Sequence, residues 1–68
     1  MEKFTERLKE LRLEKGITQD KLAEETGLSQ AALARWENGL RSPAAYALVI
    51  LAKYFNVTTD YLLGLTDC

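Results

Sequence analysis

Residues Gln19 to Asn38 read QDKLAEETGLSQAALARWEN, and their spacing decides how the chain folds. Leu22, Ala23 and Thr26 fall on one helical face. Gly27 ends that helix with a residue free to adopt positive φ. Leu28 points back toward the core, Ser29 caps a second helix, and Leu33 and Trp36 are its inner positions. Glu37-Asn38-Gly39 closes it. Ala23 has to be small, because two helices joined by so short a turn cross there at close range. The spacing predicts a helix-turn-helix, with helices over 19–26 and 29–37.

The flanks read as packing for that pair. Upstream, KFTERLKELRLEK places Phe4, Leu8, Leu11 and Lys15 at helical spacing and predicts a helix over 3–15, stopped by Gly16. Leu13 covers a margin, and Arg12 falls beside Leu8 and Leu11 rather than opposite them. Ile17 seals the turn and Thr18 is the N-cap of the next helix. Downstream, Ser42-Pro43 sets a cap before a proline at the first helical position, where its missing N–H costs nothing. That predicts a helix over 43–55, PAAYALVILAKYF, ended by Asn56. Thr58 then caps a short helix over 59–63, finishing at Gly64. No strand pattern, repeat or low-complexity segment interrupts this order. The expected fold is all-α: a compact five-helix domain spanning 1–68.

Composition excludes several classes. With 68 residues, 47% of them hydrophobic and 28% charged, the chain is ordinary globular sequence rather than disordered. No apolar run approaches the ~20 residues of a membrane span, and the charged N-terminus MEKFTERLKE has no apolar signal core. Cys68, the only cysteine, has no partner for an internal disulfide and is expected to do nothing, which points to a reducing cytoplasm. Histidine is absent, and no glycine-rich phosphate loop is present. The carboxylates sit beside Lys and Arg, as in Glu6-Arg7, Lys9-Glu10 and Asp20-Lys21-Glu24, at the spacing of a solvated helix face. An enzyme is therefore not expected, nor a metal, a cofactor or a small-molecule ligand. The net charge of −1 and pI near 5.3 run against the basic balance of most nucleic-acid binders.

RLKELRLEKGITQDKLAEETGLSQAALARWENGLRSP, followed by LAKYFNVTTDYLLG, resembles the Cro/CI-type (XRE) helix-turn-helix domains of phage and bacterial repressors. The GITQ turn, the ENG exit and the NVTTDYLLG tail occur together at matching separations, over roughly residues 4–64. The resemblance implies a lambda-repressor-like fold whose third helix lies in the major groove of duplex DNA. Thr18 and Gln19 resemble the family's phosphate clamp, at a helix end that offers N–H groups and a positive dipole, and Ser29 stands at the next such end. Gln30 and Ala31 open helix 3, the end that enters the groove first. A glutamine there can pair with adenine N6 and N7, and an alanine can meet a thymine methyl. Arg35 faces outward and can read guanine or bind a phosphate; Ala34 shares that face. Asn38 and Arg41 look like backbone-positioning residues. The resemblance also implies an ion pair between Arg12 and Glu37, fixing helix 3 against helix 1.

Two departures from that pattern carry weight. Across residues 29–41 the charge is only +1, Arg35 and Arg41 against Glu37, so a monomer would bind non-specific DNA weakly and a homodimer would double the contacts. Helix 4 supplies a candidate dimer or partner surface. Leu48, Leu51, Ala52 and Phe55 fit its inward stripe, leaving Tyr46, Val49, Ile50 and Tyr54 around the rest, with Leu40, Leu63 and Leu65 adding apolar surplus. The bland alternative is scattered surface apolar residues. The expected function is a sequence-specific regulator, a repressor acting as a homodimer on an inverted repeat. The alternative is a protein-interaction module, an antitoxin or anti-regulator, on the same fold with weak or lost DNA binding.

Overall fold

The computed structural model describes residues 2–67, and Cys68 lies outside them. They form α1 (Glu2–Lys15), α2 (Gln19–Thr26), α3 (Gln30–Glu37), α4 (Ala45–Phe55) and α5 (Thr59–Leu63). Among the described residues there is no strand, and no helix is long and apolar enough to cross a membrane.

Capping sets most of the boundaries. Thr18, Ser29 and Thr58 each accept the backbone N–H three residues on, from Lys21, Ala32 and Tyr61. Ser29 is thus the cap of α3 rather than its first residue. The start of α4 departs from expectation. Ala44 is its N-cap, in extended backbone with no side-chain cap bond, so Ser42 and Pro43 lie in the loop. A cap contributes only about 1 kcal/mol, and here the packing of fully buried Ala47 and Leu51 outweighs it in placing the helix.

At the C-terminal ends, one backbone motif recurs. In α3, Leu40 N–H reaches Arg35 O at 2.9 Å and Gly39 N–H reaches Trp36 O at 3.2 Å, the paired bonds of a Schellman stop. The same pairing ends α1, α4 and α5. In α4 the left-handed residue is Asn56, at φ 57°, one of the few non-glycine types that tolerate it. Gly64 has a second reason to be glycine. A Cβ there would lie 2.4 Å from Lys3 Cβ, so α5 ends directly against the first turn of α1.

The core gathers Phe4 and Leu8 of α1, Leu22 of α2, Leu28, Leu33 and Trp36 around α3, Ala47, Leu51 and Ala52 of α4, and Leu62 of α5. Phe4 meets the Trp36 ring edge-on, with centroids 6.3 Å apart. Among the described residues the buried Trp36 indole Nε1 has no hydrogen-bond partner, a cost that this packing has to outweigh. The inner face of α4 is Ala47, Leu51 and Ala52, with Leu48 and Phe55 only half-buried. Small Ala47 and the larger Leu51 are both fully buried, in a helix that packs on both α2 and α5.

Arg7 departs furthest from its sequence reading. Instead of lying on a solvated face, it donates to Tyr61 O at 2.5 Å and Thr66 O at 2.6 Å. Its guanidinium also lies 4.2 Å from the Tyr61 ring centroid, and its side chain is 12% exposed. It closes the C-terminal segment onto α1.

Candidate nucleic-acid interface

The solvent side of α3 carries Gln30, Ala31, Arg35 and Asn38, all exposed, while Leu33, Trp36 and Glu37 are buried beneath. Ala34 is half-buried between the two sides. Arg41 is exposed in the loop that follows. This exposed side is presented at a fixed angle because α3 packs on both α1 and α2.

Arg12 holds that angle. Its Nε donates to Glu37 Oε2 at 2.7 Å, and its Nη2 to Glu37 Oε1 at 3.0 Å. The remaining nitrogen, Nη1, donates to Ile17 O at 2.8 Å. One guanidinium therefore ties α1, the turn before α2 and the end of α3 together. The two side chains are 12% and 2% exposed, and the bond to the Glu37 carboxylate raises the Arg12 pKa.

The network continues outward through Gln19. Its Nε2 donates to Glu37 Oε1 at 3.1 Å, and its Oε1 accepts from Gln30 Nε2 at 2.9 Å. A continuous chain of hydrogen bonds thus runs from Arg12 through Glu37 and Gln19 to Gln30. The Gln19 side chain, for which the sequence suggests a phosphate contact, has both ends of its amide engaged within the protein. The hydroxyls of Thr18 and Ser29 are likewise occupied as caps. What the two helix ends still offer an anion is their first-turn backbone N–H groups.

The helix 4 surface is smaller than the sequence suggests. Tyr46 and Val49 are exposed at 65% and 46%, and Leu40 and Leu65 are more exposed still. Ile50 instead packs against the core, as does Tyr54. The Tyr54 hydroxyl donates to Glu25 Oε1, and Lys15 Nζ lies 5.0 Å from its ring centroid. That bond pushes the Tyr54 pKa up to about 12 and holds Glu25 below its ordinary value. Tyr54 latches α4 to α2 and is not free surface. Nothing in the local pattern of α4 marks this, because the partner lies 29 residues away. Among the described residues no cluster suited to a metal ion occurs.

A helix-turn-helix family model matches residues 8–62. The chain belongs to the XRE-type helix-turn-helix family. It is 41% identical over 61 residues to the HTH-type transcriptional activator BcrR of Enterococcus faecalis, covering 90% of this chain and 30% of that one. The uncharacterized HTH-type transcriptional regulator YobD of Bacillus subtilis is 38% identical over 64 residues, 94% of this chain and 57% of the relative. The chain therefore spans 30% and 57% of the lengths of these two relatives. Among solved structures, the restriction-modification controller protein C.AhdI from Aeromonas hydrophila superposes with a TM-score of 0.79 at 33% identity, covering 88% of this chain and 91% of that one.

Proposed function

We propose that this chain binds duplex DNA sequence-specifically as a homodimer on an inverted repeat, and that it represses in the cytoplasm by occupying a promoter. The observation that carries this reading is Gln30. It stands exposed at the N-terminal end of α3 while its amide is held by a hydrogen-bonded chain anchored in a buried ion pair. Such preorganisation suits a group that has to meet a base edge in one geometry. Ala31 and Arg35 complete the base-facing side. The N–H groups around Thr18, Gln19 and Ser29, with Asn38 and Arg41, take phosphates. Repression is placed first because occupancy needs only binding, whereas activation needs a further contact with the transcription machinery.

Charge makes a quantitative prediction. Arg35 and Arg41 give two cations per protomer on this face, or four per dimer. The log–log salt slope should then be shallow, about −3 to −4, with affinity falling roughly 100-fold between about 50 and 200 mM salt. A fluorescence-anisotropy titration on duplexes selected from a random library measures it. Binding that ignores salt, or fails at low salt, would favour a protein-interaction module instead.

The dimer rests on the exposed apolar side chains of Tyr46 and Val49. Val49→Glu should sediment as a monomer at micromolar protein, keep the parental helical circular-dichroism spectrum and lose the affinity gained by pairing half-sites. Equal masses for parent and variant would move the interface off α4. Val49 is the informative site because Ile50 is partly buried, and a charge there would also disturb the core.

A further inference from the structure

Taking Gln30 as a base contact, we infer that Glu37, acting through Gln19, sets the direction of the hydrogen-bond chain and thereby makes Gln30 a reader of adenine rather than guanine. A carboxylate only accepts. Glu37 already takes two bonds from Arg12, so the Gln19 group facing it has to be the donor, Nε2, as found at 3.1 Å. Gln19 is then obliged to turn Oε1 toward Gln30, and Gln30 is obliged to answer with an N–H, as found at 2.9 Å. One N–H of Gln30 is spent inside the protein. Its Oε1 and second N–H remain, one acceptor and one donor.

That remainder discriminates between purines. Adenine shows the major groove an acceptor at N7 and a donor at N6; guanine shows two acceptors, N7 and O6. An acceptor–donor edge complements adenine and leaves guanine O6 facing a carbonyl oxygen. Were the chain to run the other way, Gln30 would accept from position 19 and present two N–H groups, the complement of guanine. Glu37 is nearly fully buried and touches no base. It is a positioning residue whose charge is read out at Gln30.

The test uses the whole chain and duplexes selected from a random library with the parent protein. Gln30→Ala first locates the base pair whose preference depends on position 30. At that pair the parent should prefer adenine over guanine by roughly tenfold or more. Gln19→Lys keeps a donor toward Glu37 but can only donate to Gln30 as well. It should reverse the preference to guanine while its added charge strengthens binding to all sequences alike. Gln19→Met leaves the ion pair intact and frees Gln30, and Glu37→Gln permits either direction; both should bring the adenine-to-guanine ratio toward one. That ratio is independent of the folded fraction, which scales both affinities equally, so a destabilised variant remains informative. If Gln19→Lys and Gln19→Met keep the parent's adenine preference while Gln30→Ala loses it, Gln30 still reads the base but Glu37 does not set how. If Gln30→Ala keeps the parental preference, Gln30 is no base contact and the inference falls with it.

Discussion

Glu37→Ala should lower the stability of the folded chain by about 3–5 kcal/mol, because it strands a guanidinium that is mostly out of water. For a domain of this size each kcal/mol moves the melting midpoint by about 4–8 °C, so the shift amounts to some tens of degrees by circular dichroism. Arg12 would keep only its bond to Ile17 O. Glu37→Gln should cost less, since an amide can still accept from Arg12. Arg12→Met combined with Glu37→Met should recover most of the loss, because a buried pair replaced by apolar groups of similar size is often neutral. A Glu37→Ala variant that melts with the parent would mean that the pair stabilises nothing, whatever its geometry. Recovery in the double variant would separate the folding role of the pair from its effect on Gln30, which the apolar replacement cannot restore.

Phe4→Ala should be of similar size, about 3–5 kcal/mol. Phe4 is 1% exposed and meets Trp36 edge-on, so its removal takes both the buried ring and the support of α3 from the α1 side. Cores of chains this short rarely supply more than about 3–5 kcal/mol in total, so the variant is expected to be substantially unfolded without a ligand. Leu13→Ala provides the contrast. Leu13 lies in the same helix but is 58% exposed, and a change there should stay within about 0.5 kcal/mol. Equal effects at the two positions, measured by urea unfolding, would mean that the α1 face is turned differently from the structure described.

The contrast between buried Phe4 and exposed Leu13 in one helix follows from a signal that is legible in the sequence. Helical periodicity assigns Phe4 and Leu8 inward, and capping chemistry places the starts of α2, α3 and α5, because both signals are local. The start of α4 at Ala45 departs from the local signal for the same reason. Ser42-Pro43 is a sound local cap, but the seat of Ala47 in the core is a tertiary matter. Arg7 and Tyr54 read as surface because a charged or phenolic residue on an amphipathic helix looks exposed, while their partners lie 54 and 29 residues away. Gln19 was partly legible. Its position at the helix end is evident from Thr18 and Gly16, but whether its amide faces solvent or the Glu37 carboxylate depends on how α2 and α3 cross.

The Arg7 clamp has a consequence for the order in which the chain folds. It joins residues 54 and 59 positions apart, whereas the α2–α3 pair closes across a three-residue turn. Closing the long loop costs more chain entropy, so the turn pair and the α1 contact on α3 should form first and α5 should dock after the rate-limiting barrier. Weakening the clamp would then leave the folding rate nearly unchanged and quicken unfolding. Stopped-flow kinetics of Arg7→Met across a range of urea concentrations would show this as a displaced unfolding limb over an unmoved folding limb. A slowed folding limb would place α5 in the nucleus instead. On this ordering the helix-turn-helix assembles early, and the Arg7 clamp acts on the lifetime of the folded state rather than on its formation.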